Sequence, residues 1–345
     1  MPPKPAIRIM LWMARRFLSV LVLLTLGTTA RPAEYWVADN EEVVGELRHV
    51  KARYEDTFVA LARTYNVGFE SLRRANPGVD AWVPGEGTEI TIPTRFVLPR
   101  APRRGIVVNV AELRLYYFPE DSGPPPSGVV PGARRVVTHP ISVGRMDWHT
   151  PLGITKVTGR VANPSWYPPD SIRAEHAERD DILPKVVPPG PDNPLGSHAL
   201  RLGLPGYLIH GTNLPSGVGM RVTHGCIRMF PEDIEVMFKT VPIGTVVQLV
   251  NQSVKLGFTA EGGLYVEAHP PLPESNIDGE KVEAANAALE ATQESPLTSL
   301  TRAYVAASEQ RRIDLHWDVA ERIAQRGLGI PEFVPGAGSA PIAGN

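Results

Sequence analysis

The sequence lacks features that define several large classes of protein. Of its 345 residues only Cys226 is a cysteine, so an intramolecular disulfide framework is excluded. Lysine and arginine number 35 against 37 acidic residues, so the net charge of −2 gives no basic excess for binding nucleic acid. The apolar run at residues 17–26 is shorter than the roughly 20 residues that a membrane-spanning helix needs.

Turn-forming residues, by contrast, are abundant. The chain has 35 prolines and 31 glycines without a collagen-like period, which predicts short β-strands joined by many turns. Hydrophobic residues make up 43% of the sequence, enough for a packed core and too many for disorder over the whole chain. The length allows two or three domains of roughly 100 to 200 residues each.

The first thirty residues have the pattern of a secretory signal peptide. Basic residues precede the apolar run at residues 17–26, and small residues follow it up to Ala30. We therefore expect residues 1–30 to be removed on export and the mature protein to keep no stable membrane span. Because an exported protein meets an oxidising compartment, a lone thiol at Cys226 is a liability unless it has a function.

Residues 48–94 are predicted to form a small α+β unit. Asp56 is the expected N-cap of a helix over residues 57–65, a second helix covers residues 69–75, and Ile90 and Ile92 alternate as a strand. With its RTYNV, RRANPGVD and PGEGTEITIP segments, this unit resembles a LysM domain. That resemblance implies binding to the N-acetylglucosamine-containing glycan strands of cell walls, and the alternative is a helical cap on the larger domain.

Residues 104–256 are predicted to be a mainly β domain with one prominent helix. That helix starts at Pro231 and has a single apolar face. An irregular stretch lies between Ser165 and Gly196, and its part from Asp170 onwards is a candidate cover for a cleft. The predicted strands are residues 106–110, 113–118, 136–138, 141–143 and 244–250.

The C-terminal part is predicted to be a helical extension over residues 270–330. One helix is expected near residues 280–292 and a second over residues 300–326, whose apolar side needs a surface to bury against. The last residues, 335–345, are glycine, alanine, serine and proline in the main and are expected to be disordered.

Cys226 and two histidines are the candidate chemical groups. A thiol attacks as the thiolate, a minority species at neutral pH, so it needs a base, and His210 ends an apolar strand 16 residues earlier. His224 is two residues before Cys226 and faces the same side in an extended chain. Gly225 lets the backbone approach a substrate, and its N–H and that of Cys226 can point at an oxyanion.

The run YLIHGTN followed by VTHGCIRM resembles the signature of the YkuD-type L,D-transpeptidases, and the match extends over about residues 104–260. The resemblance implies a YkuD-like β-sandwich or barrel in which Cys226 is the nucleophile and His210 its base, held by a backbone carbonyl near Gly211. It further implies that His224 is a neighbouring or oxyanion-side group. The residues expected to contact substrate are Arg228, Gly211, Thr223, Trp166 and Tyr167.

The resemblance implies an exported peptidoglycan enzyme of the periplasm that needs neither cofactor nor metal. Its partners would be stem peptides and glycan strands, with an amine of diaminopimelate or the lysine of an outer-membrane lipoprotein as acyl acceptor. Alternatives remain open: water as acceptor in a carboxypeptidase or endopeptidase, a non-catalytic wall-binding protein, or a zinc site formed by His210, His224 and Cys226. Arg228 can instead be a structural ion-pair partner, and Trp166 and Tyr167 ordinary packing residues.

Overall fold

The computed structural model describes residues 33–145, 150–270, 294–309 and 311–341. Its fold is mainly β with few helices, as predicted. The helices are α1 (Phe58–Thr64), α2 (Phe69–Ala75), α3 (Asp170–Ala177), α4 (Pro231–Thr240), α5 (Pro296–Ser308) and α6 (Trp317–Arg326). The strands are β1 (Ala33–Val37), β2 (Val43–Gly45), β3 (Arg48–Lys51), β4 (Glu89–Ile92), β5 (Arg95–Val97), β6 (Gly105–Asn109), β7 (Arg114–Phe118), β8 (Arg134–Pro140), β9 (Val143–Gly144), β10 (Gly153–Ala162), β11 (His198–Leu202), β12 (Leu208–His210), β13 (Arg221–Thr223), β14 (Ile227–Arg228), β15 (Val246–Val250), β16 (Val254–Phe258), β17 (Leu264–Ala268), β18 (Arg311–Asp314), β19 (Glu332–Phe333) and β20 (Gly338–Pro341).

A nine-stranded sheet forms the centre of the molecule. Its strand order is β1-β8-β7-β6-β15-β10-β11-β12-β14, and it is antiparallel except where β15 meets β6 and β12 meets β14. Ser142, just after β8, exchanges two backbone hydrogen bonds with Arg228 in the last strand, at 2.8 and 3.0 Å. The sheet therefore curls, so that β14 at one edge meets the segment that follows β8, the second strand from the other edge.

Both faces of this sheet are buried, which explains why β6 is apolar at successive positions. Ile106 and Val108 point into the main core, which also contains Ile234 of α4. Val107 points the other way, into a core that it shares with Phe96. Since successive side chains on a strand alternate between faces, one short strand supplies both layers.

The N-terminal unit has the predicted order of strand, two helices and strand. Strands β3 and β4 pair in antiparallel fashion, and Phe58, Leu72 and Ile90 are completely buried in its own core. The predicted capping residue was wrong: Thr57 caps α1, because its hydroxyl accepts the Ala60 N–H at 3.2 Å. Asp56 instead accepts the Arg53 N–H in the preceding turn.

The C-terminal part contains strands that the sequence analysis did not predict. Helices α5 and α6 are separated by β18, so residues 300–326 do not form one helical stretch. β16, β17 and β19 form a sheet that packs with both helices. The core of this unit includes Val254, so the unit begins before residue 270, where the extension was predicted to start. β20 pairs with β18, so part of the tail predicted to be disordered is a strand. The helix expected near residues 280–292 lies outside the described residues.

The insert between β10 and β11 contains helix α3, which corrects the expectation of an irregular stretch. Only Ile172 of this helix is buried, so the helix has no apolar stripe that a periodicity search would detect. Trp166 and Val187 exchange backbone hydrogen bonds at 2.9 and 2.8 Å and close the base of the insert. No helix within the described ranges is long and apolar enough to cross a membrane, and the predicted signal peptide lies outside those ranges.

Candidate active site

Two short parallel strands bring the candidate residues together. In the β12–β14 pair, Ile209 lies opposite Ile227 and His210 lies opposite Arg228. The two isoleucines point into the main core. Because side chains alternate along a strand, His210 and Arg228 face away from the core, and Cys226, two residues before Arg228, shares their side.

His210 is a neutral base with a defined tautomer. Its side chain is buried, and Nδ1 lies 2.7 Å from the carbonyl oxygen of Gly211. A carbonyl only accepts hydrogen bonds, so Nδ1 carries the proton and the lone pair is on Nε2. Burial and the charge of Arg228 lower the pKa of His210 to about 4. The imidazole is therefore uncharged at neutral pH and ready to accept a proton.

Cys226 is a half-buried thiol whose Sγ lies 3.5 Å from the carbonyl oxygen of Gly206. Burial raises the pKa of Cys226, and a backbone hydrogen bond from Leu208 and the charge of Arg228 oppose that rise. Burial and the charge of Cys226 raise the pKa of the Tyr207 phenol. The resting pair is consequently a thiol and a neutral imidazole, not a preformed ion pair.

Arg228 supplies the positive charge of the site. Its guanidinium is largely buried, which lowers its pKa, and its Nε has no hydrogen-bond partner among the described residues. Its backbone is fixed by the paired hydrogen bonds to Ser142. A cation here favours the thiolate of Cys226 and disfavours a charged His210.

The loop before the thiol is held by two threonine hydroxyls. Thr223 Oγ1 donates to the carbonyl of Cys226 at 2.6 Å, and Thr150 Oγ1 donates to the carbonyl of Gly225 at 2.9 Å. Gly225 has a φ of 94°, which glycine adopts at little cost. Since C=O and N–H point in opposite directions across a trans peptide, the Cys226 N–H points away from Thr150. Thr223 is buried and contacts the loop.

His224 has a partner that the sequence analysis missed. Its Nε2 lies 3.2 Å from Oε2 of Glu175 in α3, and the same oxygen accepts a hydrogen bond from Arg145. The Arg145 guanidinium lowers the pKa of Glu175 to about 2. Glu175 is 49 residues from His224, and no sequence motif connects the two.

Gly211, Trp166 and Tyr167 were also predicted to contact substrate, and each lies in different surroundings from the other two. Gly211 is buried, and a Cβ atom there would lie 3.0 Å from Ile234, so this glycine allows close packing on α4 while its carbonyl orients His210. Trp166 is held through its backbone at the base of the insert, and Tyr167 is 68% exposed. The described contacts do not connect Trp166 or Tyr167 to Cys226.

His210, His224 and Cys226 do not form a metal-binding group in the described part of the chain. The group of potential ligands found there consists of Glu112, Glu267 and His269, all buried. Lys255 Nζ lies 2.6 Å from Glu112 and 3.1 Å from Glu267, so one ammonium group already pairs with both carboxylates. The zinc alternative for the cysteine site therefore has no support from the geometry.

A thiol, a neutral histidine and a partly buried arginine on one side of a curled, mainly β sheet define the site. The YkuD family, described as the L,D-transpeptidase catalytic domain, matches residues 103–249. Probable L,D-transpeptidase YcfS of Escherichia coli (strain K12) is 45% identical over 241 residues, covering 68% of this chain and 72% of that protein. Probable L,D-transpeptidase YbiS of the same strain is 41% identical over 224 residues, covering 64% and 69% respectively.

On the identity and coverage of these relatives, the chain belongs to the YkuD family of L,D-transpeptidases. The resemblance found in the sequence at residues 104–260 is thereby confirmed at the level of the family. The resemblance of residues 48–94 to a LysM domain, the export of the protein and the role of each site residue stay predictions.

Proposed function

We propose that the protein is a periplasmic peptidoglycan L,D-transpeptidase that uses Cys226 as its nucleophile and His210 as its general base. The observation that carries the proposal is the hydrogen bond from Nδ1 of His210 to the Gly211 carbonyl, which leaves a lone pair on Nε2. The strand that ends at His210 pairs with the strand that follows Cys226. Family membership supports peptidoglycan cross-linking or attachment as the type of activity.

In the first half-reaction, His210 Nε2 takes the thiol proton while Sγ attacks the carbonyl of the L-centre of diaminopimelate in a stem tetrapeptide. The proposed donors to the oxyanion of the tetrahedral intermediate are the N–H groups of Gly225 and Cys226. Its collapse breaks the C–N bond, the protonated His210 returns the proton to the leaving D-alanine amine, and a thioester remains.

In the second half-reaction, an amine attacks the thioester carbonyl and gives its proton to His210. The C–S bond breaks, the new amide is released, and the thiol recovers the proton. The amine belongs to diaminopimelate of a second stem or to a lysine of an outer-membrane lipoprotein. If water takes its place, the same steps describe an L,D-carboxypeptidase or endopeptidase.

Arg228 lowers the cost of forming the thiolate, as its contribution to the pKa of Cys226 indicates. The guanidinium also offers a planar set of donors to a substrate carboxylate. Thr223 and Gly211 support the site through the Cys226 carbonyl and the His210 ring, and Trp166 and Tyr167 remain candidates for substrate contact.

For residues 48–94 we propose glycan binding by a LysM-type unit. Tyr54 and Trp82 are 85% and 64% exposed, and they lie in two loops that a hydrogen bond from Phe58 N–H to the Ala81 carbonyl holds together. Exposed aromatic side chains provide flat apolar surfaces with a polar edge, which suits the faces of sugar rings.

The test of the proposed chemistry is intact-protein mass spectrometry after incubation with a carbapenem, followed by assay on disaccharide tetrapeptides with and without an amine acceptor. Wild type should carry one adduct and transfer the acyl group, and Cys226→Ala should do neither. An adduct on Cys226→Ala contradicts the assignment of the nucleophile. Products made with water alone favour the carboxypeptidase, and a folded wild type without any adduct favours a non-catalytic wall-binding protein.

A further inference from the structure

Glu175 is the point at which the insert meets the chain around the thiol. Its side chain is 17% exposed, and its two oxygens are shared among three groups. Oε2 lies 3.2 Å from His224 Nε2 and also accepts from Arg145, while Oε1 accepts from Arg179 of the insert itself at 3.0 Å. An isolated surface ion pair contributes little, but a partly buried carboxylate with several partners is held in one position.

The charge of this carboxylate favours one tautomer of His224. Glu175 is ionised at neutral pH like an ordinary carboxyl group, and hydrogen bonding to Arg145 lowers its pKa further, to about 2. Burial lowers the pKa of His224, so its ring is neutral. An ionised carboxylate only accepts hydrogen bonds, so Nε2 of His224 carries the proton. This is the opposite tautomer to that of His210.

Glu175 also holds the two segments that carry the thiol loop. His224 lies within the loop, two residues before Cys226. Arg145 donates its backbone N–H to the carbonyl of Thr223 at 3.0 Å, and the Thr223 hydroxyl holds the carbonyl of Cys226. The carboxylate of Glu175 therefore contacts both the loop itself, through His224, and the neighbouring segment, through Arg145.

We propose that Glu175 is a positioning residue, which fixes His224 as the Nε2–H tautomer and holds helix α3 against the loop that carries Cys226. With α3 in this place, bulk water has less access to a thioester on the thiol, and transfer to an amine is favoured over hydrolysis. The effect on transfer rests on the proposed function, whereas the effect on His224 does not.

The first experiment reads the tautomer of His224 directly and needs no activity. The ring nitrogens of ¹⁵N-histidine-labelled full-length protein are observed by NMR, and His224 is assigned from the signal lost in His224→Asn. Wild type should show the Nε2–H tautomer and Glu175→Gln a mixture, because an amide both donates and accepts. Glu178→Gln, an exposed position on the turn that ends the same helix, should match wild type. An Nδ1–H tautomer in wild type overturns the proposal without any variant.

The second experiment measures the ratio of transferred to hydrolysed product from a disaccharide tetrapeptide with an amine acceptor. We expect Glu175→Gln to lower this ratio about tenfold, within the range that displacement of a positioned group produces. Carbapenem acylation is measured in parallel. Because transferred and hydrolysed products arise from the same thioester, their ratio does not depend on how fast the thioester forms. An unchanged ratio and an unchanged His224 tautomer in Glu175→Gln overturn the proposal. A wild type that never transfers the acyl group refutes the proposed function, and the NMR result then decides on Glu175 alone.

Discussion

Replacing Arg228 by glutamine removes the charge that acts on both reacting side chains. Arg228 lies opposite His210 across the β12–β14 pair. The pKa of His210 is lowered to about 4, mainly by burial and next by the charge of Arg228. The same charge lowers the pKa of the Cys226 thiol. Without it, the pKa of His210 should rise towards its ordinary value and the thiol should become harder to ionise.

The size of the effect follows from Coulomb's law. Two unit charges about 6 Å apart interact by about 2.8 kcal/mol at an effective dielectric constant of about 20. Partial exposure of Arg228 weakens the interaction by up to about a half, which gives a range of roughly 1.4 to 2.8 kcal/mol. That corresponds to a change of about ten- to a hundredfold in the ionisation constant. At pH 5 about nine-tenths of His210 is neutral when its pKa is about 4. In Arg228→Gln this fraction should fall to between about a half and a tenth.

The measurement is the rate of carbapenem acylation at saturation between pH 4 and pH 8, followed by the absorbance of the lactam ring. Because the base must be neutral, the rate falls as the pH drops through the pKa of His210, and this acid limb should move to higher pH in Arg228→Gln. Saturation separates the pH dependence from any loss of carboxylate binding. Arg201→Gln, at an exposed arginine of β11, is the matched control. An acid limb that stays at about pH 4 in Arg228→Gln would refute the electrostatic argument.

Two further predictions concern the base and the glycan surface. His210→Ala should slow acylation more at neutral pH than at high pH, where the thiol ionises without help, and an equal loss at every pH would indicate a structural role. Tyr54→Ala combined with Trp82→Ala should weaken binding to insoluble sacculi and leave turnover of soluble muropeptides unchanged. Ile243→Ala, which removes an exposed apolar side chain of the catalytic part, should change neither, and unaltered sedimentation with sacculi in the double variant would contradict the glycan-binding proposal.

Local patterns in the sequence predicted four strands of the sheet, β6, β7, β8 and β15, and the helices and closing strand of the N-terminal unit, but β1, β10 and β11 were not predicted. The helix at residues 69–75 has the predicted bounds, and α4 starts at Pro231 as expected, because capping, apolar spacing and proline placement all act within one turn. Helix α3 escaped prediction because one buried side chain, Ile172, does not make a periodic signal. The break at β18 escaped it because the strand is defined by its pairing with distant β20.

The site likewise combines residues that have a local sequence signal with a residue that is placed only by distant contacts. Cys226, His210, His224 and Arg228 lie in two short segments with a recognisable spacing, and the strand pair that joins these segments follows from their apolar isoleucines. Glu175 carries no such mark, since its contact with His224 depends on the path of the whole insert. Sequence reasoning thus identified the groups that carry the proposed chemistry, and it missed the group that orients one of them.

The contacts of the N-terminal unit argue against testing it by deletion. Asn66 of this unit donates two hydrogen bonds, at 3.0 and 2.9 Å, to the buried carboxylate of Asp233 in α4. Removing the unit takes away these donors and uncovers Asp233, a completely buried residue of α4. A deletion of residues 31–95 would also remove β1, which pairs with β8 in the central sheet. Loss of activity in such a deletion would therefore report damage to the catalytic part, and exposed positions such as Trp82 separate glycan binding from folding.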